Sequence, residues 1–208
     1  MTNTLDTFQT EASQHNFPGF DYPLTFCPML KKHKPEVIRA VWKSHKGLRN
    51  WIGWAKYARS WNGQTISRFV DDHINDLLPN QHFIFRIGNE VVGVGSLVKS
   101  YTQTDCQIAL WVTAGYQGKG IGKQILNTLE AVAFEVWGFN RFFYEHDARN
   151  ESSKKLPQKC GFAFSHTFDT KKSAQGESGF WMSWVKYRPN DLPPGILQGR
   201  DIDDFTNP

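Results

Sequence analysis

The chain has 208 residues, of which 39% are hydrophobic and 21% charged, and this balance fits one folded domain with a sizeable core. No run of about eighteen apolar residues occurs, which excludes a membrane-spanning helix. The three cysteines share no C-x-x-C spacing, so neither a disulfide framework nor a zinc site is expected. With no signal-peptide pattern at the N-terminal end, we expect a cytoplasmic protein in a reducing compartment.

The net charge of +4 is mild, and one basic run stands out. It comprises Lys31, Lys32, His33 and Lys34. Such a run is typical of a solvated loop, and the alternative is a patch that binds polyanions. No aromatic RNA-stacking motif accompanies it, so nucleic-acid binding is not favoured.

The first half of the chain predicts a lead-in, one strand and two helices. Residues 1–23 are polar and irregular, and residues 24–29 form a strand candidate. Pro35 suits the first turn of a helix that we expect to end at Gly47. The apolar face of that helix contains Val37, Ile38, Val41 and Trp42. A second amphipathic helix follows, with the apolar face Ile66, Phe69, Val70, Ile74, Leu77 and Leu78.

The second half of the chain predicts six strands and two helices. The strands are expected at 82–87, 91–98, 106–112, 141–146, 161–168 and 179–187, and Gly88-Asn89 forms the first hairpin turn. A short helix begins at Asn150. A longer helix precedes it, with the apolar face Ile121, Ile125, Leu129, Val132 and Val136.

This order of elements predicts a single α/β domain over residues 24–187. A mixed sheet with helices on both faces follows from it, and the two strand–helix–strand units predict right-handed parallel crossovers. Residues 1–23 are expected to be a loosely ordered lead-in, and residues 188–208 an extended C-terminal tail.

The most informative segment is the glycine-rich loop between a predicted strand and the long helix. Three glycines in five positions allow a close approach of the backbone to a ligand, and the helix N-terminus adds unpaired N–H groups. Together these features favour binding of a pyrophosphate. The segment contains Gln117, Gly118, Lys119, Gly120, Ile121, Gly122 and Lys123.

Two other phosphate-binding motifs fail at specific positions. A nucleotide-hydrolase P-loop requires glycine where Gln117 stands and a hydroxyl residue where Gln124 stands. The dinucleotide fingerprint G-x-G-x-x-G ends on Lys123 when counted from Gly118, and on Ile125 when counted from Gly120. Neither motif is therefore present.

These residues resemble those of a known family. The run Gln117-x-x-Gly120-x-Gly122 is similar to the coenzyme A loop of the GCN5-related N-acetyltransferase (GNAT) family. Asn150-x-x-Ser153 followed by Gly161-Phe162 resembles a downstream segment of that family, and residues 48–54 resemble its ribosomal-protein N-terminal acetyltransferase (RimJ/RimL) branch. The resemblance covers residues 24–186. It implies a mostly antiparallel sheet in which two central parallel strands splay apart.

The resemblance also implies a set of residues that bind acetyl-coenzyme A. Backbone groups of one strand would contact the pantetheine arm, the glycine-rich loop would hold the pyrophosphate, and Asn150 would contact the arm. An amide of Trp111 or Val112 would stabilise the oxyanion of the reacting carbonyl. The implied cofactor-binding residues are Leu110, Trp111, Val112, Gln117, Gly118, Lys119, Gly120, Ile121, Gly122, Lys123 and Asn150.

Two positions depart from the proton-transfer residues of the family. Gln107 stands where many members have a glutamate base, so the alternatives are Asp105, Glu145, His146 and Glu177. Pro157 stands where a tyrosine often protonates the leaving thiolate, and a proline requires the Asn150 helix to be short or broken there. The resemblance therefore assigns the acid to Ser153.

The acceptor is expected to be a primary amine: a protein N-terminus first, then a small amine. An α-amine with a pKa near 8 is partly neutral at physiological pH, whereas a lysine near 10.4 is not. Trp51, Trp54 and Trp61 are either core residues or an acceptor surface, and Cys160 is expected to pack rather than react. A catalytically degenerate acyl-coenzyme A sensor is the alternative function. The chain is expected to be a monomer or homodimer.

Overall fold

The computed structural model describes residues 20–57, 71, 81–99, 102 and 104–189. Within these residues the chain forms seven strands, three α-helices and two short 3-10 helices, Lys31–His33 and Gly53–Tyr57. The strands are β1 (Leu24–Pro28), β2 (Gln81–Ile87), β3 (Glu90–Lys99), β4 (Asp105–Val112), β5 (Arg141–Asp147), β6 (Ala163–Asp169) and β7 (Phe180–Tyr187). The helices are α1 (Lys34–Trp51), α2 (Ile121–Ala131, continued by a π-helical turn, Val132–Val136) and α3 (Glu151–Lys159). None of the described helices is long and apolar enough to cross a membrane.

One sheet contains all seven strands in the order β1-β2-β3-β4-β5-β7-β6. Every neighbouring pair is antiparallel except β4 and β5, which are parallel. The β4–β5 pairing ends at Ile108 and Tyr144, although β4 continues to Val112. This confirms the mixed, mostly antiparallel sheet, and it opens a cleft between the two central strands.

The second strand–helix–strand unit differs from the first. β5 and β6 run in the same direction, but β7 lies between them and is antiparallel to both. Ser183 and Trp184 of β7 point to opposite sides of the strand and are both almost fully buried, which fits its interior position in the sheet.

Helices cover both faces of the sheet, as the sequence predicted. On one face, Ile121, Ile125 and Leu129 of α2 are buried in the larger core cluster. On the other face, α1 packs its buried residues against β2 and β3; this smaller cluster contains Val37, Val41, Leu48, Ile84, Val91 and Val94. The alternation of side chains along β2 explains this, since Ile84 faces α1 while Phe83 and Phe85 face α2.

Two details of the predicted α1 are wrong. The helix continues through Gly47 to Trp51, because Leu48 is buried and extends the apolar face beyond the glycine. Trp42 does not belong to that face, since 57% of its surface is exposed. The predicted second helix, with Ile66 to Leu78, lies outside the described residues apart from position 71.

The two termini of the predicted domain are only partly described. Residues 1–19 and 190–208 lie outside the described part of the chain, so the predicted lead-in and tail stay predictions there. The end of the lead-in is well packed, however, because Phe20 lies against the larger core cluster.

Candidate active site

The glycine-rich loop joins β4 to the start of α2. Gly115, Gly118 and Gly120 have φ angles of 89°, 75° and 82°, a region that residues with a side chain rarely adopt. Gly120 is the N-cap of α2, and no side chain caps this helix. The first amides of α2 are thus without intrahelical partners at the loop, which is the arrangement that binds anions.

Hydrogen bonds hold this loop in place from three directions. Ser44 of α1 accepts a hydrogen bond of 2.9 Å from the amide of Ala114, and Thr113 donates its hydroxyl to the carbonyl of Val91 at 2.8 Å. The Gln117 amide group donates back to the carbonyl of Val112 at 3.1 Å. The backbone geometry of the loop is therefore fixed by α1, β3 and the end of β4.

The open edge of β4 faces the cleft beside this loop. Leu110, Trp111 and Val112 pair with β3 on one side, and they lie beyond the last residue of β4 that pairs with β5. The structure thus brings these three residues together with the glycine-rich loop. Backbone groups on the β5 side of this segment have no strand partner within the described residues.

Asn150 and Ser153 lie at the start of α3, on the other side of the cleft. Asn150 is the N-cap, and its side-chain oxygen accepts a hydrogen bond of 3.2 Å from the amide of Ser153. Sequence reasoning missed Tyr144, whose hydroxyl lies near the side chain of Ser153. Burial raises the pKa of Tyr144 to about 12 and outweighs the opposite effect of the Ser153 side chain.

Pro157 does not break α3. The helix is short, as predicted, but it runs without interruption through Pro157 to Lys159. Only the last turn follows the proline, and the Pro157 carbonyl accepts hydrogen bonds from the amides of Cys160 and Phe162. These bonds stabilise the end of the helix and offset part of the free-energy cost of a proline inside it.

Two of the four candidate bases are engaged in structural contacts. Arg141 donates to both carboxylate oxygens of Asp105, at 2.7 and 2.6 Å. Burial alone would raise the pKa of Asp105, but these hydrogen bonds outweigh it and hold the pKa below its usual value. Glu177 accepts hydrogen bonds from the backbone amides of Ser173 and Ala174, so it fixes the β6–β7 loop.

His146 is also unsuited to accept a proton. An indole N–H can only donate, so the bond of 2.9 Å from Trp184 Nε1 makes His146 Nε2 the acceptor. The other nitrogen, Nδ1, lies 2.8 Å from the carbonyl of Asp147 and donates to it. Burial lowers the pKa of His146, and the neutral ring has no free lone pair.

Glu145 is the remaining candidate, and it lies at the cleft. Its Cα is one residue beyond the last β4–β5 pair, on the face opposite to Tyr144. Gln107 donates a hydrogen bond of 2.7 Å to one carboxylate oxygen, and Ser183 donates one of 3.2 Å to the other. Burial raises the pKa of Glu145, opposed by the Ser183 bond and by the charge of His166.

Two of the three cysteines are poor nucleophiles in this structure. Burial raises the pKa of Cys106 to about 12 and that of Cys160 to about 11, so both thiols stay protonated at neutral pH. No group of residues able to hold a metal ion occurs in the part of the chain that the structure describes. Transfer through a cysteine is therefore not favoured by this site.

His33 and Lys34 of the basic run and Trp54 make structural contacts, whereas Lys31 and Lys32 are exposed. His33 is buried and accepts a hydrogen bond from the Leu30 amide, and Lys34 pairs with Asp71 at 2.7 Å. Trp54 packs against the smaller core cluster, as expected of a core residue. Trp61 lies outside the described residues.

The sequence matches the family model of the acetyltransferase (GNAT) family over residues 46–162, more than half of the chain. The chain belongs to the GNAT family. This confirms the family resemblance drawn from the glycine-rich loop and the Asn150 segment. No curated protein matches this sequence.

Solved structures share its fold at low sequence identity. RimL, a ribosomal L7/L12 α-N-protein acetyltransferase in complex with coenzyme A, is 19% identical with a TM-score of 0.71, over 82% of this chain and 97% of RimL. The microcin C7 self-immunity acetyltransferase MccE, in complex with acetyl-CoA and AMP, is 19% identical with a TM-score of 0.70, over 81% and 93%. A spermidine N-acetyltransferase chimera of Vibrio cholerae SpeG and hSSAT is 14% identical with a TM-score of 0.64, over 81% and 97%.

Proposed function

We propose that this GNAT protein transfers an acetyl group from acetyl-coenzyme A directly to a primary amine. One observation carries the proposal: a glycine-rich loop with left-handed glycines and an uncapped helix N-terminus lies beside the cleft between β4 and β5. Acetyl-coenzyme A supplies the thioester. Gln117 to Lys123 bind its pyrophosphate, and the open edge of Leu110 to Val112 binds the pantetheine amides, with Asn150 at the other wall.

Glu145 removes the proton that the acceptor amine must lose before it attacks. It is the one candidate carboxylate at the cleft that neither an arginine nor backbone amides engage, and its raised pKa suits a base. The neutral amine then attacks the carbonyl carbon, a C–N bond forms, the C–S bond breaks, and the nitrogen releases its second proton to solvent. Gln107 acts as a positioning residue that orients the carboxylate.

The leaving thiolate takes a proton from Ser153 at the opposite wall. Tyr144 lies beside the Ser153 side chain and stays protonated up to high pH because it is buried. It acts as a positioning residue for the Ser153 hydroxyl, and Ser153 regains its proton from solvent.

We further propose a peptide N-terminus as the acceptor. Trp181 lies two residues before Ser183 on β7, on the same sheet face as Glu145, and its buried indole N–H has no hydrogen-bond partner within the described residues. A carbonyl next to the reacting amine would satisfy that donor. The first peptide carbonyl of an α-amine acceptor provides one, whereas a simple polyamine does not.

A turnover assay with the full chain tests this function. Acetyl-CoA consumption is measured with short peptides that have free or blocked N-termini, and with spermidine as a small amine. We expect turnover with free N-termini that is lost on blocking. Turnover with spermidine alone would contradict the peptide acceptor. Tight cofactor binding without turnover on any acceptor would favour the sensor function instead.

A further inference from the structure

The end of the N-terminal lead-in contacts the glycine-rich loop through two aromatic rings. Phe20 stacks on Tyr116 with ring centroids 5.8 Å apart and an interplanar angle of 22°. The ammonium group of Lys119 lies 5.1 Å from the Phe20 centroid and 5.9 Å from the Tyr116 centroid. Both distances lie within the range of cation–π attraction. Lys119 immediately precedes the N-cap of α2, so its charge is held at the proposed pyrophosphate site.

Both rings are anchored and therefore able to hold a lysine in place. Phe20 and Tyr116 pack against the larger core cluster, and the Tyr116 amide donates to the Thr113 carbonyl at 3.0 Å. Lysine otherwise loses much side-chain entropy when it binds a ligand. The rings lower that loss because they restrict Lys119 before any ligand arrives.

The charge around these rings is unbalanced. Lys43 of α1 approaches the same Tyr116 ring, with its ammonium 4.9 Å from the centroid. Within the described residues, no carboxylate forms a salt bridge with Lys43 or Lys119. Two ammonium groups at one ring repel each other, and a phosphate relieves that repulsion.

We propose that Phe20 and Tyr116 hold Lys119 as a ligand for a phosphate of the coenzyme A nucleotide. This makes the N-terminal lead-in part of the cofactor site. The proposal rests on the proposed function, since it assumes that the loop binds that cofactor. Phe20 and Tyr116 are positioning residues, and Lys119 is the binding residue.

Binding calorimetry on the full chain tests the proposal. Phe20→Leu keeps the apolar bulk but removes the ring, and we expect it to weaken acetyl-CoA about three- to tenfold. Tyr22→Leu is the matched control, because Tyr22 lies on the same segment with 61% of its surface exposed and packs near Gly88 instead. It is expected to bind like the unaltered chain. Melting temperatures verify that each variant is folded.

Two further measurements isolate the phosphate. Acetyl-pantetheine lacks the nucleotide phosphates, and we expect Phe20→Leu to leave its affinity unchanged. In a Lys119→Met background, Phe20→Leu is expected to have no additional effect. Equal acetyl-CoA affinity in Phe20→Leu and the unaltered chain, an equal loss with acetyl-pantetheine, or additive losses in the double variant would each overturn this proposal. No acetyl-CoA binding by the unaltered chain would instead overturn the proposed function.

Discussion

Gln107 of β4 donates a hydrogen bond of 2.7 Å to the carboxylate of Glu145 on β5. The two strands are parallel, and this bond crosses between them beside the point where they part. The sequence resemblance implies that many members of the GNAT family have a glutamate at the position of Gln107. Here the amide holds the carboxylate of the neighbouring strand beside the cleft. Under the proposed function, that carboxylate takes the place of the missing glutamate.

Replacing Glu145 with glutamine is expected to lower kcat/KM about 100-fold or more, because general-base catalysis contributes on that order. The affinity for acetyl-CoA should stay unchanged, since the carboxylate faces the acceptor. Turnover with a peptide acceptor and cofactor calorimetry check the two halves. Glu135→Gln, on the exposed last turn after α2, is the control and should retain full turnover. A Glu145→Gln variant with normal kcat/KM would eliminate this base.

The hydrogen bond from Gln107 should set the pH range of activity. An N–H donor stabilises the ionised carboxylate, so its removal in Gln107→Leu raises the pKa of Glu145 further. Because the base must be ionised, activity is lost as pH falls through that pKa. The acidic limb of kcat/KM is thus expected to move up by about one pH unit. Gln158→Leu, on an exposed position of α3, should not move it; a limb that stays fixed in Gln107→Leu contradicts the role.

Ser153→Ala is expected to reduce kcat about tenfold to 100-fold while the cofactor still binds. Tyr144→Phe should give a smaller loss, because Ser153 remains but its hydroxyl partner is gone. If both residues act in one proton path, the double variant is no slower than Ser153→Ala alone. Steady-state turnover of the two single variants and the double variant checks this. Strictly additive losses would show that the two residues act independently.

The close approach of α2 to β3 depends on two glycines. A Cβ at Gly95 would lie 2.4 Å from Leu129 and 3.2 Å from Ile125, and one at Gly93 would lie 2.5 Å from Ile125. Gly95→Ala is expected to lower the free energy of unfolding by about 1–3 kcal/mol, because a packed core resists added volume. Gly47→Ala has no atom nearby and lies in α1, so it should stabilise slightly. Denaturant unfolding compares the two, and an unchanged stability of Gly95→Ala would contradict the packing.

Local patterns predicted the elements well, because alternation and helical spacing are properties of neighbouring residues. The glycine-rich loop could be placed for the same reason, since Gly118 and Gly120 stand directly before a strong helix. The position of β7 between β5 and β6 could not be predicted, because pairing between distant strands leaves little trace in either strand alone. The prediction that the helix ends at Gly47 is wrong because the burial of Leu48 in tertiary packing outweighs the local helix-stop signal of the glycine.

The choice among Asp105, Glu145, His146 and Glu177 also required the fold. All four residues are titratable, and nothing in the sequence favours one of them as the general base. Only the partners in space separate them: Arg141 holds Asp105, Trp184 occupies His146, and backbone amides hold Glu177. Tyr144 was missed because nothing in its sequence neighbours indicates that it lies near Ser153 on α3.

Calorimetric titration of acetyl-CoA into Gly120→Glu tests the central proposal most directly. Gly138→Glu is the matched control: Gly138 has a φ angle of 70°, close to the 82° of Gly120, so both variants carry a similar backbone strain and the same added charge. Gly138 lies beyond the other end of α2, far along the chain from the loop. We expect Gly138→Glu to bind like the unaltered chain and Gly120→Glu to bind about 100-fold more weakly. Equal affinities for the two folded variants would contradict it.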